Sequence, residues 1–163
     1  MFLRCKRWAV AFALIDASSS LAYVISFGLV DIDKLKEHEE TDSEHLKELM
    51  KEIKSDGILK KPIAVDRNRN IVLDGTHRLR ALKRMNIKLI PVIFVNYQSP
   101  RVKVISWRKG EKITKNAVIA ASLTGKKLPP KTSKHMIEVG GRLRHISFLE
   151  RRVNIPLEKL KGD

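Results

Sequence analysis

The segment IVLDGTHRLRAL at residues 71–82 constrains the fold more than any other stretch of this chain. Three apolar residues lead into Asp74 and Gly75, and Leu79 and Leu82 then follow at helical spacing. A glycine lets the backbone turn sharply where a strand changes into a helix, and it lets a ligand approach the main chain closely. The segment therefore predicts a strand, a tight turn and a helix, with Asp74 at the end of the strand.

The polar residues of this turn suit a phosphate group. Free N–H groups at a helix N-terminus attract anions, Thr76 adds a hydroxyl, and His77 and Arg78 can donate hydrogen bonds. Asp74 would repel a phosphate unless it orients His77 or Arg78, helps to hold Mg²⁺, or takes part in proton transfer. A simpler interpretation fits the residues equally well, namely an Asp that caps a helix beside a surface His and Arg.

Two further polar clusters lie next to predicted helix starts. The segment KEHEETD at residues 36–42 offers a carboxylate as general base for a hydroxyl nucleophile, or simply acids that complement a helix dipole. The segment PPKTSKH at residues 129–135 interleaves cations and hydroxyls, which suits phosphate but is also typical of a basic loop. The sequence has no Walker A glycine loop, which excludes an ordinary P-loop kinase.

The net charge of +15 favours polyanionic partners such as nucleotides or nucleic acid. The charge is uneven, because residues 21–60 hold six Lys/Arg and ten Asp/Glu, whereas residues 101–163 hold sixteen and five. This asymmetry suits a site that handles both phosphate and a proton, although a solvated basic surface explains it as well. Cys5 is the only cysteine, which excludes an internal disulfide and a Cys-based zinc site and fits a reducing, cytoplasmic location.

The length of 163 residues predicts one domain, for which we expect residues 22–163, preceded by an N-terminal extension at residues 1–21. The apolar run at residues 8–15 is shorter than the roughly 20 residues of a membrane span. Three interpretations of this run are open: a secretory signal, a start codon placed too early, or a first strand or helix packed on the domain. The last two together are favoured over the first.

Hydrophobic periodicity predicts a compact mixed α/β domain with a small helical C-terminal part. The predicted strands lie at residues 21–32, 63–65, 71–73, 89–97 and 101–107, the second and third forming a hairpin. Predicted helices lie at residues 41–57, 76–86 and 114–125, and the basic loop at residues 126–136 is expected to lead into a short helix.

Four of these segments, in this order, resemble a known family. DGTHR at residues 74–78, after a strand, is similar to the signature of the ParB/sulfiredoxin-like superfamily. DKLKEHE, VKVISW and PKTSKH resemble the DKMKPHE, VKVYTW and PKTTRH motifs of one branch, the archaeal ADP-dependent free serine kinases. The resemblance runs from about residue 23 to residue 135. It implies an α/β (α+β) fold, a compact ParB/sulfiredoxin-like domain in which a small mixed β-sheet is flanked by helices.

The resemblance also implies an activity. Those enzymes transfer the β-phosphate of ADP to the hydroxyl of free L-serine, giving AMP and O-phosphoserine for cysteine synthesis, and Mg²⁺ accompanies the nucleotide. Carried over by position, Glu39 is the base that activates the hydroxyl, Asp74 assists it or holds Mg²⁺, and His38 and Trp107 lie on the substrate side. No metal site made by protein ligands alone is expected. The residues implied to bind nucleotide and phosphate are Gly75, Thr76, His77, Arg78, Lys131, Thr132, Ser133, Lys134 and His135.

The chain departs from the motifs of this branch. Thr76 replaces the first His of the family's DGHHR, Glu37 replaces a proline beside the base, and the interval between Trp107 and PKTSKH is short. The donor, ADP or ATP, and the acceptor, serine or a related hydroxyl amino acid, therefore stay open. Sulfiredoxin chemistry is excluded because Thr76 stands where its cysteine is needed. A ParB-like DNA-binding or nuclease module and a nucleotide-sensing protein are the alternative functions, with nucleic acid the less favoured partner and no membrane partner expected.

Overall fold

The structure, a computed structural model, describes residues 25–162. The predicted N-terminal extension and its apolar run lie outside the described residues. The strands are β1 (Ile25–Asp31), β2 (Ile58–Leu59), β3 (Ile63–Asp66), β4 (Val72–Asp74), β5 (Leu89–Val95), β6 (Val102–Ile105), β7 (Lys134–Val139), β8 (Arg142–His145) and β9 (Ile155–Pro156). The α-helices are α1 (Ser43–Asp56), α2 (Thr76–Arg84) and α3 (Lys115–Thr124). Short 3-10 helices lie at Ile32–Lys34, Ile146–Leu149 and Leu157–Leu160.

A four-stranded mixed sheet of order β1-β5-β3-β4 forms the centre of the fold. β1 pairs antiparallel with β5, β3 pairs antiparallel with β4, and β3 and β5 are parallel. Parallel neighbours cannot be joined by a tight turn, so the chain passes through β4 and α2 before β5 begins. This connection places the N-terminus of α2 directly after the end of β4, as residues 71–82 predicted.

Both faces of the central sheet are covered. On one face, Ile63 and Val65 of β3 pack with Leu46 of α1 and Leu79 and Leu82 of α2. On the other face, the buried core joins β3, β4 and β5 to α3 and to the small sheet β6-β7-β8. A strand buried on both faces carries a run of apolar residues rather than an alternating pattern, and Ile63, Ala64 and Val65 of β3 are all buried, followed by the buried Asp66 at its end.

The helices begin and end at the residues that the sequence favours. The Asp42 side chain caps α1 by accepting from the N–H of His45, and the helix ends at Gly57 in the left-handed conformation. Thr114 caps α3, which ends at Gly125. The predicted mixed α/β class, the hairpin of β3 and β4, and the strands β5 and β6 are confirmed.

The segment after the basic loop is a strand, so the predicted short helix is wrong. β7 pairs antiparallel with β6 on one side and with β8 on the other, and its alternate residues His135 and Ile137 are buried. Gly140 and Gly141, both with positive φ, make the two-residue turn into β8. Gly-Gly is a strong hairpin signal, and the sequence prediction overlooked it. The predicted helical C-terminal part is likewise replaced by this hairpin and short 3-10 turns.

Within residues 25–162, no helix is long and apolar enough to cross a bilayer.

Candidate active site

The four motifs meet at one cleft of about 410 Å³. Its floor lies where β4 gives way to α2, and its sides come from the acidic segment before α1, the end of β6 and the basic loop before β7. Because these segments are far apart in sequence, only the folded chain brings them together. The lining residues are Glu39, Glu40, Leu73, Asp74, Gly75, Thr76, His77, Trp107, Lys131 and Ser133.

The start of α2 supplies uncapped backbone donors. Gly75 occupies the N-cap position with φ 96°, and no side chain accepts a hydrogen bond from the first turn. The first N–H groups of a helix have no partner within the helix and attract anions. A Cβ at position 75 would overlap the Ile63 side chain, so glycine is required both by the left-handed backbone and by the packed core beneath it.

Glu39 holds the basic loop in place. Its Oε1 accepts from the backbone N–H of Lys131 at 2.5 Å, and its Oε2 accepts from the N–H and the hydroxyl of Ser133 at 2.9 and 2.8 Å. Backbone bonds between Leu128 and residues 38 and 40 align the two segments. The carboxylate predicted as a base thus already accepts a hydrogen bond from a serine hydroxyl.

Arg80 of α2 fixes the acidic segment around Glu39. Its Nε donates to Glu37 at 2.6 Å, and its Nη1 contacts Thr41 at 2.7 Å and Glu40 at 3.0 Å. Burial would raise the pKa of the Glu37 carboxyl, but the hydrogen bond and charge of Arg80 hold the pKa below its usual value. The proline position of the family motif is therefore filled here by a paired carboxylate.

A buried histidine pair lies behind the basic loop. His38 Nε2 is 2.7 Å from the hydroxyl of Ser133, and His135 Nε2 is 2.9 Å from the hydroxyl of Tyr97. The two imidazole rings are edge to face at a centroid distance of 5.6 Å. Burial lowers the pKa of His38, and burial together with the neighbouring His38 lowers the pKa of His135 to about 3. Both rings are therefore neutral at physiological pH.

Asp74 belongs to a second polar network. Nη2 of Arg78 donates to Asp74 at 3.2 Å and to Glu150 at 2.7 Å, so two carboxyl groups share one nitrogen. The Glu150 side chain is 1% exposed, and burial and then the nearby Asp74 raise its pKa to about 8 against the effect of Arg78. His145 lies 4.0 Å from the other oxygen of Asp74. Asp74 itself faces the cleft and is 27% exposed.

His77 and Trp107 complete the walls of the cleft. The Nε2 of His77 accepts from the backbone N–H of Asp42, so the ring is neutral with its proton on Nδ1. Burial and the neighbouring His45 lower the pKa of His77. Trp107 is exposed, and the Lys134 ammonium lies 4.2 Å from its ring centroid.

Several predicted site residues do not point a free polar group into the cleft. Arg78 was expected to grip phosphate, but its Nη1 donates to the Pro62 carbonyl and its Nη2 to the two carboxyl groups. His135 is buried and neutral, and His38 is buried behind Ser133. The Thr132 hydroxyl donates to the Pro129 carbonyl. Other protein groups contact these polar atoms in this structure, so a role of these residues in binding phosphate or substrate stays a prediction.

Two residues that hold the site together were not predicted from the sequence. Arg80 and Glu150 lie outside the motifs, and their partners are 43 and 72 residues away in sequence. Arg80 lies on α2, one helical turn after Thr76 of the DGTHR motif. This spacing places it on the same side of the helix as Thr76, and it could have indicated a role in the site. No local pattern distinguishes Glu150 from a surface acid.

Mg²⁺ with a nucleotide fits the donor set of the cleft. Among residues 25–162, no group of three or more His, Cys, Asp or Glu side chains is arranged to hold a metal ion. Mg²⁺ needs only one or two protein carboxylates when phosphate oxygens complete its coordination. Asp74 offers such a carboxylate at the cleft, whereas both oxygens of Glu39 already accept hydrogen bonds.

The fold and the cleft define a class of protein. Residues 18–107 match the ParB N-terminal domain family, and the chain belongs to this family. The chain also resembles a solved free serine kinase in complex with AMP, with a TM-score of 0.66 and 16% identity over 84% of this chain and 94% of that one. At this level of identity, the likeness shows the fold.

The curated relatives of this chain include proteins named L-serine kinases. An ATP-dependent L-serine kinase of Staphylothermus marinus is 39% identical over 83 residues, which is 48% of this chain and 33% of that protein. An ADP-dependent L-serine kinase of Thermococcus kodakarensis is 26% identical over 99 residues, 58% of this chain and 41% of that protein. The matched part of the chain thus spans about a third to two fifths of these relatives. The predicted resemblance to the superfamily and its serine kinase branch is confirmed.

Proposed function

We propose that this protein is a kinase that transfers a phosphoryl group from a nucleotide to the hydroxyl of free L-serine or a similar amino acid, giving O-phosphoserine. The observation that carries the proposal is the cleft in which Glu39 faces the uncapped start of α2. One wall offers a carboxylate for a hydroxyl proton, and the other offers donors for phosphate oxygens. The similarity to proteins named L-serine kinases supports the same reaction.

In the proposed reaction, Glu39 accepts the proton of the substrate hydroxyl as it attacks phosphorus. A hydroxyl is a poor nucleophile at neutral pH, so a positioned carboxylate is worth about 10²–10⁴-fold in rate. The backbone N–H groups at Thr76 and His77 and the Lys131 ammonium stabilise the charge on the phosphate oxygens. Bound with the nucleotide through Asp74, Mg²⁺ would supply further charge neutralisation. A supply of O-phosphoserine to cysteine synthesis remains a prediction from the resemblance.

The donor is a nucleoside di- or triphosphate. ADP is the donor that the motifs predict, whereas the relative of higher identity is named ATP-dependent. The experiment incubates the purified protein with Mg²⁺, ADP or ATP, and a panel of hydroxyl amino acids, and detects phosphoamino acid together with AMP or ADP by mass spectrometry. Formation of O-phosphoserine from either donor is expected. If nucleotide binds and neither a free hydroxyl substrate nor the protein itself is phosphorylated, the protein is a nucleotide sensor instead.

Nucleic acid binding is the second candidate, favoured by the net charge of +15 and by membership of the ParB N-terminal domain family. DNA binding through phosphate contacts weakens steeply with salt. Removing the negative charge of Glu39 would slightly favour DNA, whereas the same change stops the proposed kinase. A titration of labelled DNA at two salt concentrations, with wild-type protein and Glu39→Gln, therefore separates the candidates.

A further inference from the structure

The hydroxyl of Ser133 is placed as the substrate hydroxyl of a serine kinase needs to be. It donates to Glu39 Oε2 at 2.8 Å, and His38 Nε2 lies 2.7 Å from it on another side. Burial lowers the pKa of His38, so the Ser133 hydroxyl lies between the Glu39 carboxylate and a neutral imidazole, each within hydrogen-bond reach of its oxygen. A nucleophile in hydrogen-bond reach of a base that is itself held by other groups is the general arrangement of an activated nucleophile.

The base in this arrangement is fixed and the nucleophile is accessible. Glu39 is oriented by the backbone N–H groups of Lys131 and Ser133, which hold its carboxylate towards the hydroxyl. Ser133 also lines the cleft, beside Lys131 and across from the uncapped start of α2. With its proton donated to Glu39 and at most one hydrogen bond accepted from His38, the Ser133 oxygen keeps a lone pair for attack on a phosphorus atom held in the cleft.

We propose that Ser133 is itself a phosphoryl acceptor, so that the protein phosphorylates its own basic loop when no free hydroxyl substrate is present. The inference rests on the proposed kinase function. In the step, a bond forms between Ser133 Oγ and the terminal phosphorus of a bound nucleoside di- or triphosphate. The bond from that phosphorus to the bridging oxygen breaks, the shortened nucleotide leaves with the electron pair, and the hydroxyl proton goes to Glu39.

Self-phosphorylation should compete with the free substrate. Both hydroxyls need the same Glu39 oxygen, so a free amino acid that reaches Glu39 displaces Ser133 from its hydrogen bond. A phosphate on Ser133 would place negative charge against Glu39 and break their contact, since like charges repel. The modified protein should therefore lose transfer to free L-serine.

The experiment incubates the full-length protein with Mg²⁺ and saturating ATP or ADP without an acceptor, and maps phosphorylated peptides by mass spectrometry. We expect one phosphoryl group on Ser133, formed at least about 10²-fold more slowly in Glu39→Gln and suppressed by added L-serine. Ser133→Ala should lose the modification and Ser133→Thr should keep it. Ser122→Ala, which removes a hydroxyl that bonds within α3, is the matched control and should be modified as the wild type is.

The outcomes separate this inference from the proposed function. Phosphorylation of free serine without phosphoprotein, or with phosphate on a residue other than Ser133, overturns the inference and leaves the kinase proposal standing. Phosphoprotein at Ser133 without any phosphorylated amino acid supports the inference and overturns the free serine kinase. If neither product forms while nucleotide binding is measured directly, both fail.

Discussion

The two walls of the cleft are built in different ways. The helix wall, residues 74–77, is a continuous segment whose shape follows from a strand end, one glycine and an uncapped helix start. The loop wall, residues 37–41 and 131–133, is assembled from two segments joined by Glu39, whose partners lie 92 and 94 residues away in sequence. The helix wall is thus determined locally, whereas the loop wall exists only after the chain has folded.

This difference separates two requirements of phosphoryl transfer. Backbone N–H groups on a packed helix are fixed in position. They suit the binding of phosphate oxygens, which every acceptor substrate requires in the same way. The loop wall depends on hydrogen bonds to one carboxylate and on the Arg80 contacts, so it can rearrange when a hydroxyl substrate enters. We expect changes in the helix wall to affect stability and nucleotide binding, and changes in the loop wall to affect turnover.

The largest effect is expected for Glu39→Gln in the loop wall. The amide cannot take up a proton, so kcat for serine phosphorylation should fall by at least about 10²-fold, while the Kd for nucleotide changes little. Steady-state kinetics and calorimetric titration with nucleotide measure the two quantities. Wild-type turnover in this variant would end the assignment of Glu39 as the base.

A control is needed because the amide also disturbs the loop, where both carboxylate oxygens face donors. Ser133→Ala keeps the carboxylate and the backbone N–H of Ser133, and it removes the contacts of the hydroxyl with Glu39 and His38, each worth about 1 kcal/mol, so its kcat should fall by less than that of Glu39→Gln. Equal losses in the two variants would mean that loop geometry, rather than proton transfer, sets the rate.

The second prediction concerns the helix wall. Gly75→Ala should lower the free energy of unfolding by about 2–4 kcal/mol, from backbone strain at positive φ and from overlap with Ile63. Gly57→Ala is the matched control, since Gly57 has φ 66° but no atom within 4 Å of the added Cβ. Urea denaturation should show a larger loss of unfolding free energy for Gly75→Ala than for Gly57→Ala. Equal losses would mean that overlap with Ile63 does not contribute.

The third prediction concerns Arg78, whose guanidinium contacts Pro62, Asp74 and Glu150. Arg78→Ala should lower the free energy of unfolding by about 1.5–3 kcal/mol, because it leaves the Pro62 carbonyl and the Glu150 carboxyl without their charged donor. Nucleotide affinity should change less than stability does. Arg84→Ala, exposed at the end of the same helix, is the control. A loss confined to nucleotide affinity would restore Arg78 to phosphate binding.

The sequence predicted what is encoded by neighbouring residues. The turn from β4 into α2, the positions of α1 and α3, and the strands of the central sheet follow from hydrophobic periodicity and glycine, and the structure confirms them. The short helix predicted after the basic loop failed because pairing of β7 with strands on both sides outweighed local pattern. The Gly-Gly turn after β7 was the local signal that favoured the strand.

The sequence predicted which residues line the site, but it did not predict the hydrogen bonds among them. Glu39, Asp74, Thr76, Lys131 and Ser133 were chosen from the sequence and do meet at the cleft. Which polar atoms stay free cannot be predicted from a linear motif, because side chains distant in sequence compete for them.

The last prediction concerns Glu150, which supports the helix wall through Arg78. Burial, and then Asp74, raise its pKa to about 8 from an ordinary value near 4.5. The folded protein therefore binds a proton that the unfolded chain releases, so this contribution to stability is complete below pH 4.5 and is lost as the pH rises to about 8.

Glu150→Gln keeps a neutral hydrogen-bonding group and removes this titration. The variant should match the wild type near pH 5 and become the more stable of the two towards pH 8, with no further divergence above it. Urea denaturation midpoints at steps between pH 5 and pH 9 measure the difference, with the exposed Glu158→Gln as control. Parallel stability curves for wild type and Glu150→Gln would mean that Glu150 stays ionised beside Arg78 throughout.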